Sequence, residues 1–252
     1  MRRPFSLFII LTFILIQFAV IPFALYFGFK YPNLTQAELL DLVMPYQFGA
    51  FVLGTVAVIL LGNTHRNKNI FERSEQKSPL YLTVLWVIGG TVLAYIAQVV
   101  AGLINVYLLG NPLESGNTEG IIDMVLSAPY MIILVVVLGP IIEEFVFRRA
   151  IFAELYELMG SLHKVVAFLL AGLVSGILFA LAHWDFTHIL IYLAMSYTFS
   201  FVYVMTKRLI VPILVHMLMN GFVVLVQIVF QDQLENLEKL QTSTQFIIHL
   251  LN

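Results

Sequence analysis

Residues 80–109 read LYLTVLWVIGGTVLAYIAQVVAGLINVYLL, a run without one charged side chain. A helix needs about 20 mostly apolar residues to cross the hydrocarbon core of a bilayer. The run is continuous and lacks the period-2 alternation of a barrel strand, so it reads as a membrane helix. Six further runs have the same character: Phe5–Phe29, Pro45–Gly62, Ile121–Ile142, Val165–His183, Phe186–Met205 and Leu209–Phe230. Together they predict an all-α, polytopic membrane helix bundle of about seven transmembrane helices, or eight.

The whole composition agrees. The chain is 60% hydrophobic and 11% charged, against about 45–50% and about 25% for a soluble domain. A soluble fold of this size could not hide that much apolar surface. The net charge of -2 and the lack of a basic block give no sign of a nucleic-acid partner. Cysteine is absent, which excludes disulfides, thiolate metal sites and a cysteine nucleophile. Arg2 and Arg3 before an apolar run resemble a signal sequence. The run is longer than an h-region of about 7–15 residues, however, and no small-residue cleavage site follows, so it reads as a retained first span.

Charge sets the expected orientation. Arg2, Arg3, Arg66, Lys68, Arg73, Lys77, Arg148, Arg149, Lys164, Lys207 and Arg208 fall on one side of the seven spans. Only Lys30 and Lys239 fall on the other. The positive-inside rule then predicts a cytoplasmic N-terminus in a cell membrane, an external C-terminus and the lipid bilayer as partner. Residues 1–120 read as scaffold helices, 121–230 as the core that holds the polar chemistry, and 231–252 as a tail that ends apolar at Phe246–Leu251. Ala171, Gly172, Ser175 and Gly176 form small-xxx-small pairs suited to close helix packing, and Ser175 is read as packing rather than as a nucleophile.

Ionisable residues inside a membrane are costly and direct attention to function. Three clusters occur. Glu143 and Glu144 are followed by Arg148, just after a Gly139-Pro140 break. Glu144 and Arg148 are spaced i,i+4 and neutralise each other on one face, whereas Glu143 points about 100° away. A carboxylate partly desolvated without a partner holds its proton more tightly, which suits a general base. The second cluster is Phe179-x-x-x-His183, and the third is His216-x-x-x-Asn220, again sharing a face. Each alone reads equally as structural: an interfacial charge cluster, a hydrogen-bonded histidine, or polar glue between helices. Together they converge. Residues 143 and 183 are centred on 163, inside the turn Gly160-Ser161-Leu162-His163, so an antiparallel pair would bring them to similar depth. His183 nonetheless falls at the outer end of its span, which requires that helix to start above the membrane or to tilt. His65, His163, His188 and His249 read as surface or interface residues, with His188 and Asp185 nearest the site.

The ordered series EExxxR, FxxxH and HxxxN on successive hydrophobic segments resembles the CAAX-protease and bacteriocin-processing (CPBP, or Abi) family, which includes the type II CAAX prenyl endopeptidases. The likeness covers about Ile121–Phe230. It implies peptide-bond hydrolysis in the membrane and a peptide or membrane-protein substrate. It also implies site residues Glu143, Glu144, Arg148, His183, His216 and Asn220. In the favoured mechanism Glu143 and His183 polarise a water, His216 and Asn220 stabilise the oxyanion, and no cofactor takes part. The alternative places zinc on His183, His216 and Glu143, although no HExxH motif is present. A non-enzymatic scaffold or immunity factor is the remaining reading.

Overall fold

The computed structural model describes residues 3–64, 68–113 and 115–230. His65, Arg66, Lys239, His249 and the whole tail expected at the membrane surface lie outside the described residues. Among those described, the secondary structure is helical. In chain order the helices are α1 (Arg3–Gln17), α2 (Val20–Lys30), α3 (Gln36–Asn63), α4 (Leu80–Tyr107) and α5 (Gly116–Ser127). They continue with α6 (131–158), α7 (Lys164–Ala182), α8 (Ile189–Thr206) and α9 (Ile210–Val229). Among the described residues six stretches are long and apolar enough to cross a membrane: Pro4–Lys30, Gln36–Asn63, Leu80–Tyr107, Lys164–Ala182, Phe186–Thr206 and Ile210–Val229. Their outer faces keep residues such as Phe29 and Leu53 exposed at 85% and 73%. That is the pattern of a bundle whose solvent is lipid.

The fourth expected span is divided. Ile121–Ile142 merges two elements, because α5 ends at Ser127 and α6 begins after Ala128-Pro129-Tyr130. Pro129 disfavours helix at the residue before it, which ends α5 there. Nor does α6 break at Gly139-Pro140. It passes through two wide π-helical segments, Leu134–Leu138 and Glu144–Phe152. Pro140 has no N–H, so a carbonyl one turn back loses its partner. The wider turn absorbs the ring, with the Gly139 N–H bonding the Leu134 carbonyl. The carbonyl of Val135 is met instead by the Asn220 side chain at 3.0 Å.

Helix α6 occupies the middle of the bundle, in contact with α1, α3, α7, α8 and α9. Gly172 and Gly176 set the spacing of α7 to α8: an added Cβ would meet the Tyr197 ring at 2.5 Å and Leu193 at 2.8 Å. Ser175 Oγ donates to the Phe147 carbonyl at 2.7 Å, a packing role. That bond also fixes the α6–α7 register. Residues 147 and 175 are centred on 161, not 163, so Glu143 stands level with Phe179 and His183 lies one turn, about 6 Å, further along. Glu144 is fourteen residues from the end of α6 and its partner His216 only six from the start of α9. Helix α6 therefore runs eight residues further past that contact than α9 does (14 against 6) on the basic side of the bundle.

That basic side is tied by polar contacts. Arg149, 2% exposed, reaches Glu72 at 2.8 Å and the Gly62 carbonyl. Arg73 pairs with Glu157 at 2.6 Å, and Asn69 donates to the Tyr203 hydroxyl at 2.8 Å. These bonds lay residues 68–79 across the end of α6.

Candidate active site

Glu143 and Glu144 leave α6 where its α-helical turn passes into the second π segment. Such segments turn successive side chains by unusual angles and occur often at functional sites. Glu144 is fully buried and lies 3.1 Å from Arg148 Nε, as the spacing predicts. The contact is an ion pair rather than an aligned hydrogen bond, and neither terminal amino group of Arg148 has a hydrogen-bond partner. The guanidinium is held between aromatic faces instead, 4.5 Å from the Phe179 ring centre and 5.0 Å from that of Phe199.

The other oxygen of Glu144 meets a residue 72 positions away. His216 Nδ1 lies 3.0 Å from Glu144 Oε1 and donates to it. The same ring stacks on Phe199 with centres 4.8 Å apart. Its Nε2 faces Glu143 Oε2 at 3.8 Å, too long for a hydrogen bond. Glu143 keeps a side chain 20% exposed, and its Oε2 has no hydrogen-bond partner. Two carboxylates of different character thus flank one imidazole, one sealed and bonded, the other open.

His183 caps the end of α7. Side chains of a helix lean toward its N-terminus, and this one folds back so that Nδ1 meets the Phe179 carbonyl at 2.7 Å. A carbonyl only accepts, so Nδ1 carries the proton and Nε2 is left open as an acceptor. The ring lies between Phe179 and Tyr192, with centres at 4.6 Å and 4.3 Å, within electrostatic range of Glu143, His216 and Arg148. Asn220 reaches α6 eight residues before Glu143, and one of its two amide hydrogens is used on the Val135 carbonyl. Gly221 permits that approach, since an added Cβ would stand 3.3 Å from Val136.

The expectation for His188 is corrected. It is 2% exposed, not a surface residue. Its Nδ1 lies 2.8 Å from Asp185, and Nε2 donates to the Pro112 carbonyl at 3.1 Å. Ser115 Oγ donates to Asp185 at 2.6 Å. Burial pushes the Asp185 carboxyl up, but hydrogen bonds from Ser115, His188 and Thr187 outweigh it and hold the carboxyl below its usual range. The group ties Pro112 and Ser115 to the turn after His183. His163 caps the start of α7, accepting from the Val165 N–H at 3.3 Å.

Sequence reasoning missed Tyr192 and Phe199, which hold the two imidazoles. Tyr192, Ser196, Phe199 and Tyr203 recur at helical spacing along α8 and are buried. That aromatic and hydroxyl stripe in an aliphatic span was the available signal.

Comparisons with known proteins find relatives over almost the whole chain. The model of the family described as type II CAAX prenyl endopeptidase Rce1-like matches residues 125–222. The chain is 38% identical over 252 residues, 98% of each chain, to YdiL of Bacillus subtilis (strain 168), provisionally named a membrane peptidase. It is 36% identical over 245 residues, 97% of this chain and 96% of the other, to MroQ of Staphylococcus aureus (strain USA300), named a membrane-embedded CAAX protease. No solved structure matches.

Proposed function

The chain belongs to the CPBP family, with the Rce1-like membrane peptidases, and is a membrane hydrolase; from that premise we propose that it is an endopeptidase cutting a membrane-associated peptide or membrane protein with water activated by Glu143. The supporting observation is His216 set between two carboxylates, Nδ1 on Glu144 at 3.0 Å and Nε2 3.8 Å from an unpartnered oxygen of Glu143. Glu143 takes a proton from water as the oxygen attacks the peptide carbonyl. The open Nε2 of His183 accepts the water's other hydrogen and orients it. The oxyanion receives hydrogen bonds from the second amide hydrogen of Asn220 and from His216 as the imidazolium, the form that presents an Nε2–H while its Nδ1–H stays on Glu144. Glu143 then passes its proton to the departing amine, and Glu144 keeps His216 in place throughout.

Among the described residues no three His, Cys, Asp or Glu side chains are grouped to hold a metal ion. His183 and His216 each bond an oxygen through Nδ1, which leaves the Nε2 of each without such a bond. Zinc on His183, His216 and Glu143 stays the alternative reading, and no step is routed through a metal. The substrate is to be found by comparing membrane peptides from cells carrying the chain with those carrying Glu143→Gln. Purified protein is expected to cleave it after exhaustive chelation. Asn220→Ala is expected to lose about 100- to 1000-fold in turnover with little change in substrate binding. Chelation that abolishes cleavage, with zinc restoring it, reverses the mechanism in favour of the metal.

The same reading puts the basic ends of the helices in the cytoplasm. Reporter fusions after Lys77 and Arg208 are expected to report inside and one after Asn117 outside. Opposite results at any two of the three positions discard this orientation.

A further inference from the structure

Between α4 and α8 lies an open groove of about 300 Å³. One face of α4 lines it with Leu82, Leu85, Trp86, Gly89 and Leu93, and α8 supplies Val202. The glycine pair shapes it. An added Cβ at Gly90 would stand 3.0 Å from Val202 and Val215, so Gly90 brings the helices together. A Cβ at Gly89 would meet nothing within 4 Å, so the next position leaves the slot empty. The wall is apolar along its length and belongs to two spans, so in a bilayer something apolar fills it.

The head of the groove is basic. The Ser78 N–H donates to the Thr206 carbonyl at 3.1 Å, and Arg208 Nε donates to the Ser78 carbonyl at 2.7 Å. These bonds bring Lys77, Lys207 and Arg208 to one place. Leu82 follows Ser78 by one helical turn and Val202 precedes Thr206 by one turn, so about 6 Å separates the cations from the slot. Lysine stems span such a distance along apolar surface. Neither Lys77 nor Lys207 is paired with a carboxylate among the described residues.

We infer that this groove seats one anionic phospholipid, with an acyl chain in the slot beside Trp86 and the phosphate on Lys77 and Lys207. The cations at its head call for an occupant with an anionic headgroup, which an apolar transmembrane helix lacks. The charge decides the headgroup: each interfacial lysine favours an anionic lipid by about fivefold. The site lies on α4 and α8, apart from Glu143, and stands whether or not that carboxylate is the base.

The chain has two tryptophans, Trp86 and Trp184, which supplies the probe. In Trp184→Phe protein in phosphatidylcholine vesicles, brominated lipid quenches Trp86 only from close range. Brominated phosphatidylglycerol is expected to reach half-maximal quenching at a mole fraction at least about fivefold lower than brominated phosphatidylcholine. Lys77→Gln with Lys207→Gln is expected to remove that preference and leave quenching by phosphatidylcholine unchanged. Gly89→Leu puts a side chain into the slot from a position whose Cβ has open space and is expected to weaken quenching by both lipids. Native mass spectrometry of the unsubstituted chain released from mixed-lipid nanodiscs is expected to retain one phosphatidylglycerol. Equal quenching by the two lipids, a preference that survives the lysine changes, or a Trp86 that neither lipid quenches, as when a protein helix fills the groove, overturns the proposal.

Discussion

Glu143→Gln protein is expected to accumulate in the membrane like the unsubstituted chain and to cleave at least about a thousandfold more slowly. The two halves of that result have separate causes. Abundance holds because the Glu143 side chain is 20% exposed and its buried Oε2 has no hydrogen-bond partner to lose, so an isosteric amide breaks no bond on which the fold relies. Its contact with His216, at 3.8 Å, is too long for the fold to depend on it. Turnover falls because the amide cannot take a proton from water. Loss of a general base typically costs about 10²–10⁴ in rate, and here the same carboxylate also delivers the proton to the leaving amine. Cleavage within tenfold of the unsubstituted rate, measured on the peptides identified in membranes, would sink the assignment of Glu143 as base. The conserved length and register of Gln make misfolding a poor explanation for a loss seen at normal abundance.

The sequence carried the bundle because lipid imposes one simple demand, a long apolar helix, and six of the seven expected runs meet it in the structure. The remaining run shows where that demand stops being informative. Ile121–Ile142 is apolar throughout, so hydropathy could not separate a short helix ending at Ser127 from a long one starting at Met131. Pro129 carried the boundary. At Pro140 the same kind of reasoning misled. A proline in a helix interior signals a break only if its orphaned carbonyl finds no partner. Here a wide turn and the side chain of Asn220, 85 residues away, supply the accommodation. Local spacing could pair Glu144 with Arg148, since both lie on one helix. It could not pair Glu144 with His216, or place His183 between Phe179 and Tyr192, because those contacts depend on the register between helices. The candidate residues were thus legible as an ordered set, and their partners were not.

Arg148→Ala is expected to cost the bundle about 3–5 kcal/mol, the usual effect of removing one partner of a buried ion pair. It should appear as low abundance and as a fall in the thermal midpoint in detergent. The substitution also empties the space between Phe179 and Phe199, where the guanidinium sits with both aromatic faces within 5.0 Å. Glu144 is then fully buried with only His216 to meet its charge. A second variant separates the fold from the chemistry. Replacing the pair together, Glu144→Leu with Arg148→Met, removes both charges and refills the volume. Apolar substitution of a buried pair is often neutral or stabilising, so abundance and thermal midpoint should recover. Activity should not, because Glu144 is the acceptor that holds His216 Nδ1 at 3.0 Å. Freed of that bond, the ring loses the orientation that points it at the oxyanion. A stable and fully active double variant would show that neither charge serves catalysis. A double variant as scarce as Arg148→Ala would show that the ion pair itself, and not the stranded carboxylate, holds α6 in the bundle.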